Sequence, residues 1–195
     1  MNTPITRRTA LKTAAVAGLG VALASCLPAR GQATVKAPAF SSHRDLRNSF
    51  WVGPHLFSFL AEAVTTGGSY TLVEATSPSG AVVAAHTHTR EDETLFIIEG
   101  ELEVTLNGEV SLAQPGDHRF MPRGGVHTFR VTSSTPARVL VIFTPGGLEG
   151  AYRQIAKLAP RLEPPPTPPA PTPEQQARVA EIFAGYGYYI LPSAT

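Results

Sequence analysis

The stretch GAVVAAHTHTREDETLFIIEG, residues 80–100, and the later stretch GDHRFMPRGGVH, residues 116–127, decide how this chain folds. In the first, five residues separate Gly80 from His86, one separates His86 from His88, four precede Glu93 and six more precede Gly100. In the second, five residues lie between Gly116 and Pro122, one before Gly124 and two before His127. Side chains along a strand alternate between its faces, so His86 and His88 share a side while Thr87 points away. The charged stretch Thr89 to Asp92 reads as a turn or bulge that re-aims the chain before Glu93. His127 has the parity of Phe129 and Val131, which puts it on the apolar, inward side of a later strand. Three imidazoles and one carboxylate are thereby offered to a single ion. Such a nitrogen and oxygen set suits borderline first-row metals, and on an octahedral ion it leaves positions for water, oxygen or a substrate.

Around these blocks the chain is a succession of short strands and breaks. Leu56 to Val64 and Tyr70 to Thr76 are apolar-rich runs parted by Thr65, Thr66, Gly67 and Gly68. Leu102, Val104 and Leu106 alternate with Glu101, Glu103 and Thr105, and Asn107-Gly108 is a strong hairpin signal before Val110 and Leu112. Further strands fall near His118 to Met121, Val126 to Thr132 and Arg138 to Thr144. Gly80, Gly100, Gly116 and Gly124 sit between the apolar runs, where a small barrel turns tightly. Strands without intervening helices argue an all-β antiparallel sandwich or barrel of the jelly-roll kind, spanning residues 49–147.

After Pro145-Gly146-Gly147 the pattern changes. Residues 148–159 have helical spacing, with Tyr152, Ile155, Ala156 and Ala159 on one side. Residues 160–173 are dominated by proline and form an extended linker. Residues 174–195 hold a second short helix, with Glu174 in its first turn and Val179, Ile182 and Phe183 available for burial, and a tail.

With 195 residues and 43% apolar composition, the chain suffices for one domain with a real core plus tails. Arg7, Arg8 and Lys12 account for three of its 16 cationic residues, leaving 13 against 15 acids in the remainder. That balance offers no surface for nucleic acid. Residues 1–25 read as an export address. Thr6-Arg7-Arg8-Thr9-Ala10-Leu11-Lys12 resembles a twin-arginine signal, with Ala10 where phenylalanine is usual, and the apolar run from Ala14 to Ala24 is shorter than a membrane span. Leu23-Ala24-Ser25-Cys26 resembles a lipobox, which gives the chain's one cysteine a role as lipid anchor; ordinary cleavage near Ala29 to Ala33 is the competing reading. Residues 26–48 are then a tether, and the folded part is expected to be periplasmic or otherwise extracytoplasmic.

The two blocks resemble the two cupin motifs, with every glycine, proline and ligand position filled. Val131 stands where many cupins have asparagine, a departure that touches no ligand. The resemblance implies a double-stranded β-helix, the cupin jelly-roll barrel, closed by short C-terminal helices. It implies His86, His88, Glu93 and His127 as ligands of a divalent transition metal (Fe, Mn, Ni, Cu or Zn). From Phe50 to Pro192 the chain is similar to the single-domain cupins related to bacterial quercetin 2,3-dioxygenases, through the Thr144-Pro145-Gly146-Gly147-Leu148-Glu149-Gly150 junction, the proline linker and the closing Ala184-Gly185-Tyr186-Gly187. That likeness implies a metal-dependent dioxygenase acting on a flavonol or related enolic aromatic, with Glu93 also serving as the catalytic base. Phe96, Ile98, Phe120, Met121, Phe129 and Phe143 are expected to face inward and shape its pocket, while His43, His55 and His118 fit no pattern and read as unrelated histidines.

Two further readings remain open. One is a non-catalytic cupin that binds metal or a small molecule, held at the membrane through Cys26. The other is an isomerase of a sugar or keto acid, for which Arg90, Arg119, Arg123 and Arg130 are candidates to grip phosphate or carboxylate, Arg130 being solvated by parity. Open sheet edges invite a homodimer.

Overall fold

The computed structural model describes residues 37–167 and 170–192. The export signal, Cys26 and the first part of the tether lie outside the described residues. Twelve strands and three helices run in the order β1 (Ser49–Val52), β2 (His55–Ala61), α1 (Ala63–Thr66), β3 (Thr71–Ser77), β4 (Val82–His88), β5 (Asp92–Glu99), β6 (Leu102–Leu106), β7 (Glu109–Ala113), β8 (His118–Met121), β9 (His127–Val131), β10 (Ala137–Thr144), α2 (Glu149–Ile155), β11 (Lys157–Leu158), α3 (Pro173–Gly185) and β12 (Tyr188–Ile190). They form a seven-stranded sheet, β11-β1-β2-β3-β10-β5-β8, and a five-stranded sheet, β12-β4-β9-β6-β7. The pairings are antiparallel, for example in the β10–β3 and β6–β9 ladders. This is the jelly-roll cupin fold.

Alternation sets the inner faces. In β10, Ala137, Val139, Val141 and Phe143 are buried and the residues between them are not. In β5 the buried residues are Glu93, Leu95 and Ile97. Together with Val73, Leu102, Val104 and Val131 these fill the space between the two sheets. The β6–β7 hairpin turns at Asn107-Gly108, where Asn107 takes φ 51° and Leu106 pairs with Glu109.

Three elements differ from the sequence reading. The apolar run from Leu56 to Val64 is a strand only to Ala61; Glu62 then forms a capping box with Thr65 and opens the helical turn α1. The first C-terminal helix ends at Ile155 rather than continuing to residue 159. Pro160 disfavours helix at the residue before it, and Lys157–Leu158 instead pairs with Phe50 and Trp51 on the edge of β1. The tail after α3 adds the strand β12 beside β4, with Tyr188 opposite His88 and Ile190 opposite His86.

The junction before α2 is held by one buried carboxylate. Glu149 accepts hydrogen bonds from the amides of Ala63 and Gly147, both at 2.8 Å, and from the Thr71 hydroxyl. A negative group at this helix start also suits the helix dipole. α3 begins on a capping box between Thr172 and Gln175, and its Phe183 packs against Tyr152 of α2 and Tyr188 of β12 at ring centroid distances of 5.2 and 4.5 Å. The C-terminal segment is thus tied to the ligand-bearing strand.

Gly100, at the β5–β6 turn, has φ 78°, and a Cβ there would sit 2.6 Å from the Ala137 Cα. Both the backbone conformation and the lack of space require glycine. Gly100→Ala is expected to cost about 2–4 kcal/mol of folding stability. Urea unfolding measures this, and a loss within about 0.5 kcal/mol would contradict it.

Candidate metal centre

β4, β5 and β9 bring the four candidate ligands together. His86 and His88 come from one face of β4, Glu93 follows the bend through Thr89 and Arg90, and His127 lies opposite His86 in the β4–β9 ladder. That ladder shifts register between Val83 and His86, an irregularity upstream of the one read from the sequence. The four residues are 1–3% exposed. Their donor atoms all lie within 4.8 Å of one another.

The geometry is specific to Nε2. The Nε2 atoms of His88, His127 and His86 lie 3.0, 3.1 and 3.8 Å from Glu93 Oε2. The opposite nitrogens of two rings face main-chain carbonyls: His86 Nδ1 is 2.8 Å from Ala84 O and His127 Nδ1 is 3.1 Å from Gly125 O. A carbonyl only accepts, so each Nδ1 carries the hydrogen and each Nε2 is left with its lone pair facing the centre. Tyr188 stacks on His86 at 4.3 Å and 13° and meets His88 edge-on, shielding the cluster from solvent.

Burial favours the neutral acid of Glu93, but the close approach of His127, His86 and His88 outweighs it and holds the carboxyl well below its usual range. Burial likewise opposes protonation of His88, yet Glu91 and Glu93 beside it push the ring up to about 9. For His86, burial prevails and the ring is lowered. An anion therefore sits where the Nε2 lone pairs of His86 and His127 converge. The donor set fits a divalent first-row ion, which would be held by His86, His88, Glu93 and His127.

Beside the centre lies a cavity of about 30 Å³. Its wall includes His86 and Glu93, together with Phe57, Phe143, His55 and Tyr152. His55, Phe57, Tyr152, Phe143 and His88 form a row of rings with successive centroid distances of 6.0, 5.2, 6.1 and 5.8 Å. His55, read as unrelated to the site, is thus part of it, its Nδ1 paired with the Ser77 hydroxyl at 2.8 Å. His43 and His118 are exposed. Parity with Phe57 carried the signal for His55; nothing local signalled Tyr152 or Tyr188, which arrive from elements folded back on the barrel.

The expectation for the pocket aromatics needs correction. Phe96 and Phe120 are 42% and 52% exposed, and Ile98 is half-buried. Glu93 faces inward, so Phe96 and Ile98, an odd number of positions away, face outward, and Phe120 pairs with the outward Thr94. Met121 and Phe143 are buried and Phe129 lines the cavity. The candidate anion-gripping arginines lie elsewhere: Arg123 pairs with Asp92, Arg119 with Asp117 and Arg130 with Glu103, while Arg90 is exposed.

Comparison with known proteins agrees with the fold. Residues 73–143 match the cupin domain family. The chain is 26% identical over 103 residues to a quercetin 2,3-dioxygenase of Bacillus subtilis (strain 168), covering 53% of this chain and 30% of that one. It is 33% identical over 102 residues to the tetracenomycin polyketide synthase protein TcmJ of Streptomyces glaucescens, covering 49% of this chain and 60% of that one. The chain therefore spans less than two thirds of the length of either relative. Among solved structures, KdgF from Halomonas sp. superimposes with a TM-score of 0.50 at 22% identity, over 56% of this chain and 96% of that one, a likeness of fold. Residues 73–143 thus match a cupin domain, and the described residues adopt the jelly-roll fold.

Proposed function

We propose that this chain is an exported metal-dependent dioxygenase that opens an enolic or hydroxylated aromatic substrate. The observation that carries the reading is a buried three-histidine, one-glutamate cluster bordering a cavity walled by aromatic rings. Likeness to a quercetin 2,3-dioxygenase and to a polyketide synthase protein supports substrates of this class. A divalent ion held by His86, His88, Glu93 and His127 would supply Lewis acidity. Dioxygen adds to the substrate, a carbon–carbon bond breaks and both oxygen atoms stay in the product, so no external reductant is required. Glu93 Oε2, ionised and at the edge of the cavity, takes the proton of the substrate hydroxyl. Phe57 and Phe143 stack against the ring, and Tyr152 and His55 present polar groups to its substituents.

The cavity is small. About 30 Å³ holds one water or a diatomic gas, whereas an aromatic ring needs on the order of 150 Å³. A wall must yield for substrate to enter, and Tyr152, carried on α2 outside the barrel, is the side chain placed to do so. The same tightness favours the second reading, a loaded cupin that binds without turnover. Isomerisation of a phosphorylated or carboxylated substrate finds no support, because neither arginine nor lysine lines the cavity among the described residues. The reading includes lipid attachment at Cys26 and assembly as a homodimer.

His86→Ala is expected to remove bound metal and to lower oxygen consumption with quercetin or catechol by more than about 100-fold, beyond what loss of an outer partner costs. Elemental analysis and an oxygen electrode measure both. Metal-loaded wild type that consumes no oxygen with either compound favours the binding protein, and full activity in the variant rules out the centre.

His55 lines the cavity as a neutral ring. Burial lowers its pKa from 6.5 to about 4. A histidine depressed by folding gives its full stability above the unfolded value and loses it as pH falls toward the folded one. Between those two values this ring alone withdraws about 3 kcal/mol. His55→Gln, which retains a partner for Ser77, should lose correspondingly less between pH 7 and pH 4.5 in urea unfolding. Equal acid losses in the two proteins would contradict the assignment.

A further inference from the structure

Among the described residues, four buried side-chain polar atoms have no hydrogen-bond partner: Thr87 Oγ1, His88 Nδ1, Glu91 Oε2 and Arg138 Nε. Two of these face each other. His88 Nδ1 lies 3.8 Å from Glu91 Oε2, with Glu91 4% exposed. An unpaired carboxylate oxygen in the interior is costly, and a shift of under about 1 Å turns this approach into a hydrogen bond. The other two ligand histidines lean on the neutral carbonyls of Ala84 and Gly125. His88 alone is backed by an acid.

We propose that Glu91 is a positioning residue of the metal centre, accepting the Nδ1 hydrogen of His88 and supplying the second negative charge that neutralises a divalent ion. The inference rests on the metal reading and goes beyond it, since Glu91 lies outside the four-ligand pattern. A dication held by Glu93 and three neutral imidazoles leaves one uncompensated positive charge in an interior walled by Phe143 and Tyr188, and uncompensated buried charge is strongly disfavoured. With Glu91 the sum is zero. A carboxylate behind a ligand histidine also fixes its tautomer and makes its Nε2 a stronger donor.

A purely structural role for the Glu91 side chain has little to rest on. The neighbouring Asp92 holds the turn, accepting from the Arg123 amide at 2.9 Å and pairing with its guanidinium at 2.9 Å. Glu91 makes no side-chain hydrogen bond among the described residues, and Arg123, the nearest cation on the facing segment, is committed to Asp92.

The test uses the full chain, stripped of metal, with dissociation constants for Zn²⁺ and Mn²⁺ obtained by chelator competition. Glu91→Gln, which keeps an acceptor and removes the charge, is expected to weaken both by about 10- to 100-fold, and Glu91→Asp to recover most of that loss. The visible absorption bands of the Co²⁺-loaded protein should shift in Glu91→Gln, a readout independent of activity and of folding stability. Equal affinities in wild type and Glu91→Gln overturn the inference and leave the centre intact. A loss that Glu91→Asp does not recover overturns it, as does a Glu91→Gln protein that fails to fold without metal. Wild type that takes up neither ion overturns the metal reading and this inference together.

Discussion

Three imidazole nitrogens aimed at one buried carboxylate oxygen are the constraint around which this fold is arranged. Polar groups that far from water are tolerated only when each is satisfied, and the chain satisfies them with its own sheet. The main-chain carbonyls of Ala84 and Gly125 take the outer hydrogens of His86 and His127. The amide of Gly124 donates to the His88 carbonyl at 2.7 Å, so the second sequence block is stitched directly onto the first. The glycine before His127 thus closes a turn and also fixes one ligand strand against another.

The remainder of the molecule closes this arrangement off from solvent. β12 pairs along β4, setting Tyr188 over His86, and α3 holds that strand down through Phe183. Glu149 ties the start of α2 to α1 and β3, which keeps Tyr152 against Phe143 and the cavity. The segments outside the barrel therefore reach the centre through a continuous series of packed rings. A disturbance at the proline linker has a physical route to the ligands.

How much of this was legible in the sequence depended on whether the information was local. The clustering of His86, His88, Glu93 and His127 was legible because strand parity and glycine punctuation are local, and the jelly-roll fold because short strands with turn signals recur along the chain. Phe96 was misplaced by treating an apolar residue as inward although Glu93, three positions earlier, had already fixed the opposite face. The helix predicted to residue 159 stopped early because a free edge on β1 competed for Lys157 and Leu158, and that edge exists only once the sheet has formed. β12, with Tyr188, and Tyr152 required tertiary context: their importance comes from what folds against them.

The charge of the centre links these observations to chemistry. A cluster of imidazoles around one carboxylate suits a cation, and on the proposal for Glu91 a second acid behind His88 makes the favoured charge a double one. Once such a charge is balanced, the neighbouring cavity has no excess field with which to attract an anion, and among the described residues no arginine or lysine lines it. What it offers instead is aromatic surface, the Tyr152 phenol and the His55 imidazole, beside the His86 and Glu93 of the centre, together with space for a diatomic molecule. In the proposed function, those features suit a flat ligand that arrives uncharged, with Glu93 as the acceptor of its proton.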